Sequence, residues 1–182
     1  MSTSSFRTIV AYVEDKPGVL NRVASLFRRR GYNIVSLNVG RTHEPGISRM
    51  TIVVECDDIV ARLIEANLYK LVNVLAIEDI SREPCVVRDL ALIKVSVGPE
   101  RRNEVLQLVE VFRARVVDIG PDSLIAEISG SPDKIEAMLG CLAPFGILEM
   151  VQTGQVAMTR GLEGAAARAA HGQNSDSVVT AA

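Results

Sequence analysis

The sequence predicts an α+β protein built from two ferredoxin-like βαββαβ domains in tandem. Three observations carry that reading. Short runs rich in β-branched residues alternate with segments whose apolar residues recur every 3.6 positions. The order strand, helix, strand, strand, helix, strand fills about 75 residues and then recurs. A short segment punctuated by Pro84, Ser81–Cys85, separates the two copies.

The first copy starts with Phe6–Val13, a buried strand. Glu14-Asp-Lys-Pro-Gly breaks it. Val19, Leu20, Val23, Leu26 and Phe27 then form the stripe of an amphipathic helix that stops at Gly31, a C-terminal cap. Asn33–Gly40 alternates as a half-buried strand, and Thr42–Ile47 is a loop. Arg49–Cys56 is the next strand, and Asp57-Asp58 caps a second helix with Val60, Leu63, Ile64 and Leu71 as its apolar stripe. Val74–Ile80 closes the unit. Both helices fall on one face of a four-stranded antiparallel sheet, so the other face needs a cover, usually another copy or a partner.

The second copy repeats the order. Leu90–Val97 is a strand, and Val105, Leu108, Val109 and Phe112 have helical spacing. Arg115–Ile119 and Leu124–Ile128 flank Gly120-Pro-Asp-Ser, a hairpin signal. Ser131 and Pro132 start a helix carrying Ile135, Met138, Leu139 and Leu142, and Ile147–Thr153 is the last strand. The domains are expected at 6–81 and 82–161. Residues 162–182, low in large apolar side chains, read as a flexible tail.

Composition narrows the chemistry. Twenty Lys+Arg against 22 Asp+Glu leaves a net charge of −2, against nucleic acid as the main partner. Aromatic residues are 4% with no Trp, too few for base-stacking platforms. No apolar run approaches the roughly 20 residues of a membrane helix, and the start has no secretion signal. A cytoplasmic protein with no membrane partner is expected. Cys56, Cys85 and Cys141 are widely spaced and read as small buried apolar residues. His43 and His171 lack ligand partners, so no metal site is expected. Phosphate loops and nucleophile elbows are missing, so no catalytic residues are assigned. Arg28-Arg29-Arg30 reads as a solvated helix end complementing the macrodipole, and Lys94 as pointing to the wet face of its sheet.

One segment carries specific chemistry. In Asp15-Lys16-Pro17-Gly18-Val19-Leu20, Pro17 presets a turn and Gly18 allows close approach to the backbone. The free N–H groups at the helix start attract a carboxylate. Asp15 can accept from an ammonium, and Asn33 offers a donor and an acceptor. Together they suit an α-amino acid. An ordinary strand-to-helix turn, with Asp15 capping the helix, accounts for the same residues.

The segment Glu14–Ile34 (EDKPGVLNRVASLFRRRGYNI) resembles the ACT-domain signature, and more narrowly the small, regulatory subunits of acetohydroxyacid synthase (acetolactate synthase). Ser48–Val54, Lys70–Ile80, Arg88–Val95, Phe112–Leu124 and Thr153–Gly161 resemble further blocks of that family, in order, so the likeness covers about residues 6–161. The resemblance implies a subunit with no active site of its own. Its partner is a large catalytic subunit carrying thiamine diphosphate, Mg²⁺ and FAD, which condenses two pyruvates, or pyruvate with 2-oxobutyrate. The small subunit raises that activity and confers feedback inhibition by branched-chain amino acids, chiefly valine. The family's effector residues fall on Asp15, Gly18, Val19, Leu20, Asn33 and Ile34. Asp15 stands where the family often has Asn, and Asn21 where small residues are common. The resemblance also implies a homodimer, ACT domains paired edge to edge with effector sites between protomers. The second domain then serves large-subunit contact or dimerisation. Three alternatives stay open: a stand-alone ACT-domain amino-acid sensor, a transcription regulator, and a small enzyme on a ferredoxin-like scaffold.

Overall fold

The computed structural model describes residues 4–161; the expected tail at 162–182 lies outside them. The elements run β1 (Ser5–Glu14), α1 (Val19–Arg30), β2 (Ile34–Arg41), β3 (Ile47–Cys56), α2 (Asp58–Leu68), β4 (Val74–Asp79), β5 (Cys85–Ser96), α3 (Arg102–Val111), β6 (Arg115–Ile119), β7 (Ser123–Gly130), α4 (Pro132–Leu142), β8 (Ile147–Gln152) and β9 (Val156–Thr159). A short 3-10 turn, Ala143–Phe145, follows α4. The first sheet has strand order β2-β3-β1-β4; the second has β6-β7-β5-β8, with β9 paired to β5. Each is the antiparallel βαββαβ arrangement read from the sequence.

Contacts divide the chain into two compact units. One runs to Val86 and takes back the chain from Ala157; the other is Val87–Val156. In the first unit, β1 turns Ile9, Ala11 and Val13 toward the helices, and β3 adds Met50, Ile52 and Val54. Val19, Val23, Leu26 and Phe27 of α1 and Ala61, Ile64 and Leu68 of α2 close this core. The alternation of the pleat sends Val10, Tyr12, Thr51 and Val53 to the face without helices, and these are buried as well. In the second unit, Ala91, Ile93 and Val95 pack with Leu124, Ala126 and Ile128 under Val105, Val109, Ile135 and Met138. Leu92, Lys94, Ile125 and Val151 lie on the opposite face, as expected for Lys94.

Helix ends follow the local chemistry. Gly31 adopts φ 68°, and the N–H groups of Gly31 and Tyr32 donate to the Arg28 and Phe27 carbonyls. Asp57 is the N-cap of α2: Oδ1 accepts from the backbone N–H of Ile59 at 3.0 Å and of Val60 at 2.8 Å. The Ser131 hydroxyl caps α4, with Pro132 in the first turn.

Four expectations are corrected. The strand expected at Leu90 begins at Cys85, within the expected linker. β9 went unread because it has only four residues and gains its partner from β5, far away in sequence. The stripe of α2 runs through Ala61, Ile64 and Leu68; Leu63 faces solvent, and Leu71 lies beyond the helix end. Cys56 is buried, but Cys85 is half-buried and Cys141 is exposed on α4. Burial pushes the Cys56 and Cys85 thiols above their ordinary range.

The packing and capping terms are separable in one unit. Ile52→Ala, at a fully buried central position, is expected to cost about 2–5 kcal/mol. Asp57→Ala should cost about 1 kcal/mol. Urea unfolding midpoints of the two variants check the ranking, which a larger loss for Asp57→Ala would contradict.

Candidate functional site

The β1–β3 ladder runs without interruption from Ser5↔Cys56 to Glu14↔Ile47. It delivers the β1–α1 loop to one end of the first sheet, beside the β2–β3 turn. There the Asp15 N–H donates to the Gly46 carbonyl at 2.7 Å. Gly18 is the N-cap of α1 in the left-handed region, φ 83°. A Cβ added to Gly18 meets nothing within 4 Å, so the space above it is open. No side chain caps this helix, and no acidic residue sits in its first turn. The partial positive charge at this helix end meets no acidic side chain of its own first turn.

Asp15 does not cap the helix. Its carboxylate pairs with Arg41 Nε at 3.0 Å. Both side chains are exposed to solvent, so this is a surface pair of modest strength. Arg41 is a neighbour that the sequence reading missed. The signal was available: an antiparallel β2 must end beside the start of β3, at the same sheet end as Asp15. Next to it, the Glu14 carboxylate is held below its ordinary range, first by a hydrogen bond from the Asn73 amide and then by Lys16 at 3.1 Å. Lys16 is thus turned back onto Glu14. Val19 is buried beneath the loop, while Leu20 is exposed beside it.

Asn33 and Ile34 lie elsewhere. Helix α1 carries the chain along the sheet, and β2 starts at the far end, where Ile34 opposes Val54. Arg41 opposes Ser48 at the loop end. Seven residue steps of β2 separate them, about 23 Å at about 3.3 Å per step. One protomer therefore brings Asp15, Gly18, Val19 and Leu20 together and keeps Asn33 and Ile34 apart from them. Asn33 is exposed and Ile34 half-buried. β2 is a terminal strand, bonded among the described residues only to β3, with Val35 and Val39 exposed.

The matching junction of the second unit is closed. Arg101 pairs with Glu104 in the first turn of α3 at 3.2 Å and lies 4.3 Å from the Phe145 ring centroid. Arg102 donates to the Gly120 and Pro121 carbonyls of the β6–β7 turn. Among the described residues, no group of three His, Cys, Asp or Glu side chains could hold a metal ion. No helix among them is long and apolar enough to cross a membrane.

Comparison with known proteins gives matches along nearly the whole of this frame. A family described as "AHAS small subunit-like ACT domain" matches residues 9–76, and one described as "Small subunit of acetolactate synthase" matches residues 88–161. The chain is 48% identical to the acetolactate synthase small subunit of Mycolicibacterium smegmatis, over 86% of this chain and 92% of the relative. It is 50% identical to that of Aquifex aeolicus, over 84% of this chain and 80% of the relative. The crystal structure of the small subunit from Thermotoga maritima superposes with a TM-score of 0.80 at 41% identity, covering 86% of this chain and 98% of the other. The ordered blocks, the two βαββαβ units and these identities agree, and the chain belongs to the acetolactate synthase small-subunit family.

Proposed function

We propose that this chain is the regulatory subunit of an acetolactate synthase in valine, leucine and isoleucine biosynthesis. It pairs with a large catalytic subunit that carries thiamine diphosphate, Mg²⁺ and FAD, raises its activity, and confers feedback inhibition by valine. The chain itself supplies no catalytic group.

The observation that supports this reading most is the opposed placement of the loop and the start of β2. Asp15–Leu20 and Asn33-Ile34 sit at opposite ends of one terminal strand. Two copies joined antiparallel along β2 would set Asn33 of one beside the Asp15–Gly18 loop of the other. That pairing would also satisfy the open strand edge. Valine would then bridge two protomers. Its carboxylate meets the N–H groups at the start of α1, and its ammonium meets Asp15. Asn33 of the mate offers a donor and an acceptor, while Val19, Leu20 and the mate's Ile34 enclose the side chain. The existing Asp15–Arg41 pair orients the carboxylate before the ligand arrives. Coupling to the catalytic subunit would follow from a change in how the dimer contacts it, typically about 1–3 kcal/mol.

The second unit is proposed to contact the large subunit or to dimerise. Its sheet presents Leu92, Ile125 and Val151 with Lys94 and Glu149 on the face away from its helices. An apolar patch with charged residues beside it suits an interface with an apolar core and a polar rim.

Three outcomes follow for the complex reconstituted from purified subunits. Gly18→Asp puts a carboxylate where the effector carboxylate is proposed to sit. The valine concentration for half inhibition should rise about tenfold or more, equivalent to about 1.4 kcal/mol, with activation intact. Full valine sensitivity in that variant refutes the site. Val39→Lys puts a charge on the edge strand proposed to pair, which opposes edge-to-edge association. Sedimentation should show a shift toward monomer together with weaker valine binding; an unchanged dimer rejects β2 as the interface. Leu92→Asp should lower activation or the oligomeric state while valine binding persists. If both stay at wild-type levels, the second sheet face is not an interface.

A further inference from the structure

Arg49 sits on β3 and points to the sheet face without helices, among residues of the first unit. Its guanidinium is anchored in three directions. Nε donates to the Tyr12 hydroxyl at 3.2 Å, Nη1 donates to the Thr51 hydroxyl at 2.9 Å, and Nη2 donates to the backbone carbonyl of Ala157. The Arg49 guanidinium carbon lies 5.8 Å from the Tyr12 ring centroid. Tyr12, Thr51 and Ala157 are all buried. A planar, permanently charged fork suits three fixed acceptors, and a lysine would not match it. Only the first two partners belong to the first sheet. The third belongs to β9.

Two placements give this contact a meaning beyond packing. First, Arg49 stands one ladder step from the candidate site. Its register partners are Tyr12 and Gly40, and the adjacent residue Ser48 opposes Arg41, which holds Asp15. Second, Ala157 is where the chain re-enters the first unit. The chain leaves that unit at Val86–Val87 within β5 and returns at Val156–Ala157, and β9 is paired to β5. The Arg160 N–H donates to the Pro84 carbonyl at 2.7 Å, tying the returning segment to the leaving one. Both covalent passages between units thus belong to one paired segment, and Arg49 fastens that segment to the sheet that carries Asp15.

We propose that Arg49 is the positioning residue that transmits effector occupancy from the Asp15–Gly18 end of the first sheet to the β5/β9 segment and hence to the second unit. The proposal rests on the effector reading above and names the route by which that site regulates. Closure of a mate's Asn33 onto the loop would shift the Arg41–Ser48 row. Arg49, in the next row, carries that shift to the Ala157 carbonyl. Arg49 touches no effector atom, so its loss separates binding from response.

The test uses the full small subunit with its large subunit and valine as the probe. Valine binding to the isolated small subunit is measured by calorimetry; activation and inhibition are measured on the complex. For Arg49→Gln, the expected result is binding within about twofold of wild type and retained activation. Residual activity at saturating valine should rise about fivefold or more, the low end of typical coupling. Wild-type inhibition in the variant overturns the proposal. So does a parallel loss of binding, activation and melting temperature, the signature of a merely structural role. Where Arg49→Gln folds poorly, Thr51→Val removes one anchor of the guanidinium and should weaken inhibition in the same sense; unchanged inhibition there overturns it equally. Failure of the wild-type small subunit to bind valine would refute the effector reading itself, and this inference with it, before any variant is made.

Discussion

The uninterrupted pairing of β1 with β3 is the interaction on which the rest of the first unit depends. Every position that matters is a place on that ladder or one strand away from it. Its register sets Glu14 opposite Ile47, which puts the β1–α1 loop against the β2–β3 turn. The same register decides which residues meet the helices and which meet the other face. A slip by one residue would send Ile9, Ala11 and Val13 outward and bring Val10 and Tyr12 beneath the helices. The Asp15 contacts and the Arg49 anchor would be lost together. The buried Arg7 guanidinium marks the opposite end of the ladder, where it pairs with Asp58 and approaches Asp79 at 3.7 Å. Stability and the candidate site thus share one determinant.

Most of the fold was legible in the sequence because it is locally encoded. The runs Phe6–Val13 and Arg49–Cys56, the Gly31 stop, the Asp57 cap and the Ser131-Pro132 start each depend on residues close in the chain. The misses have a common cause. β9 has its ladder partner in β5, and no periodicity within four residues announces a distant partner. Leu63 was misassigned because several apolar positions on α2 fit a helical stripe, and only the packed core selects among them. The turn itself was readable, since Pro17 and Gly18 mark a strand-to-helix junction within a few residues. Arg41 was passed over, although the antiparallel β2–β3 pair already placed it at the sheet end that holds Asp15. Arg49 was invisible for a stronger reason: its partners include a backbone carbonyl more than 100 residues away that sequence composition cannot flag.

The two units show how little topology alone decides. Both follow the same strand and helix order, and both start their first helix after a tight loop. In the first, a glycine in the left-handed region and an unfilled first turn leave donors and space. In the second, Glu104 occupies the first turn and pairs with Arg101, while Arg102 is spent on the neighbouring turn. The same helix dipole is answered by Glu104 in one unit and by no acidic side chain of the first turn in the other. A few side chains, and not the repeated scaffold, make the two junctions different.

A site divided between the two ends of an edge strand has a thermodynamic consequence. If half of the contacts come from each protomer, a ligand that binds only the paired form stabilises pairing by RT ln(1 + [L]/Kd) for each occupied site. At about 100 times Kd that is about 2.7 kcal/mol per site, and a symmetric dimer carries two sites. Effector affinity and dimer affinity are then one linked quantity. The exposed Val35 and Val39 and the Asp15–Arg41 pair would be covered in the proposed assembly. In an isolated protomer, Asp15 and Arg41 form a surface pair that water and salt weaken. Covering it with a second copy would lower the local dielectric and strengthen the same contact. On the proposed pairing, the open edge of β2 and the modest polar pair beside it would be covered in the same step.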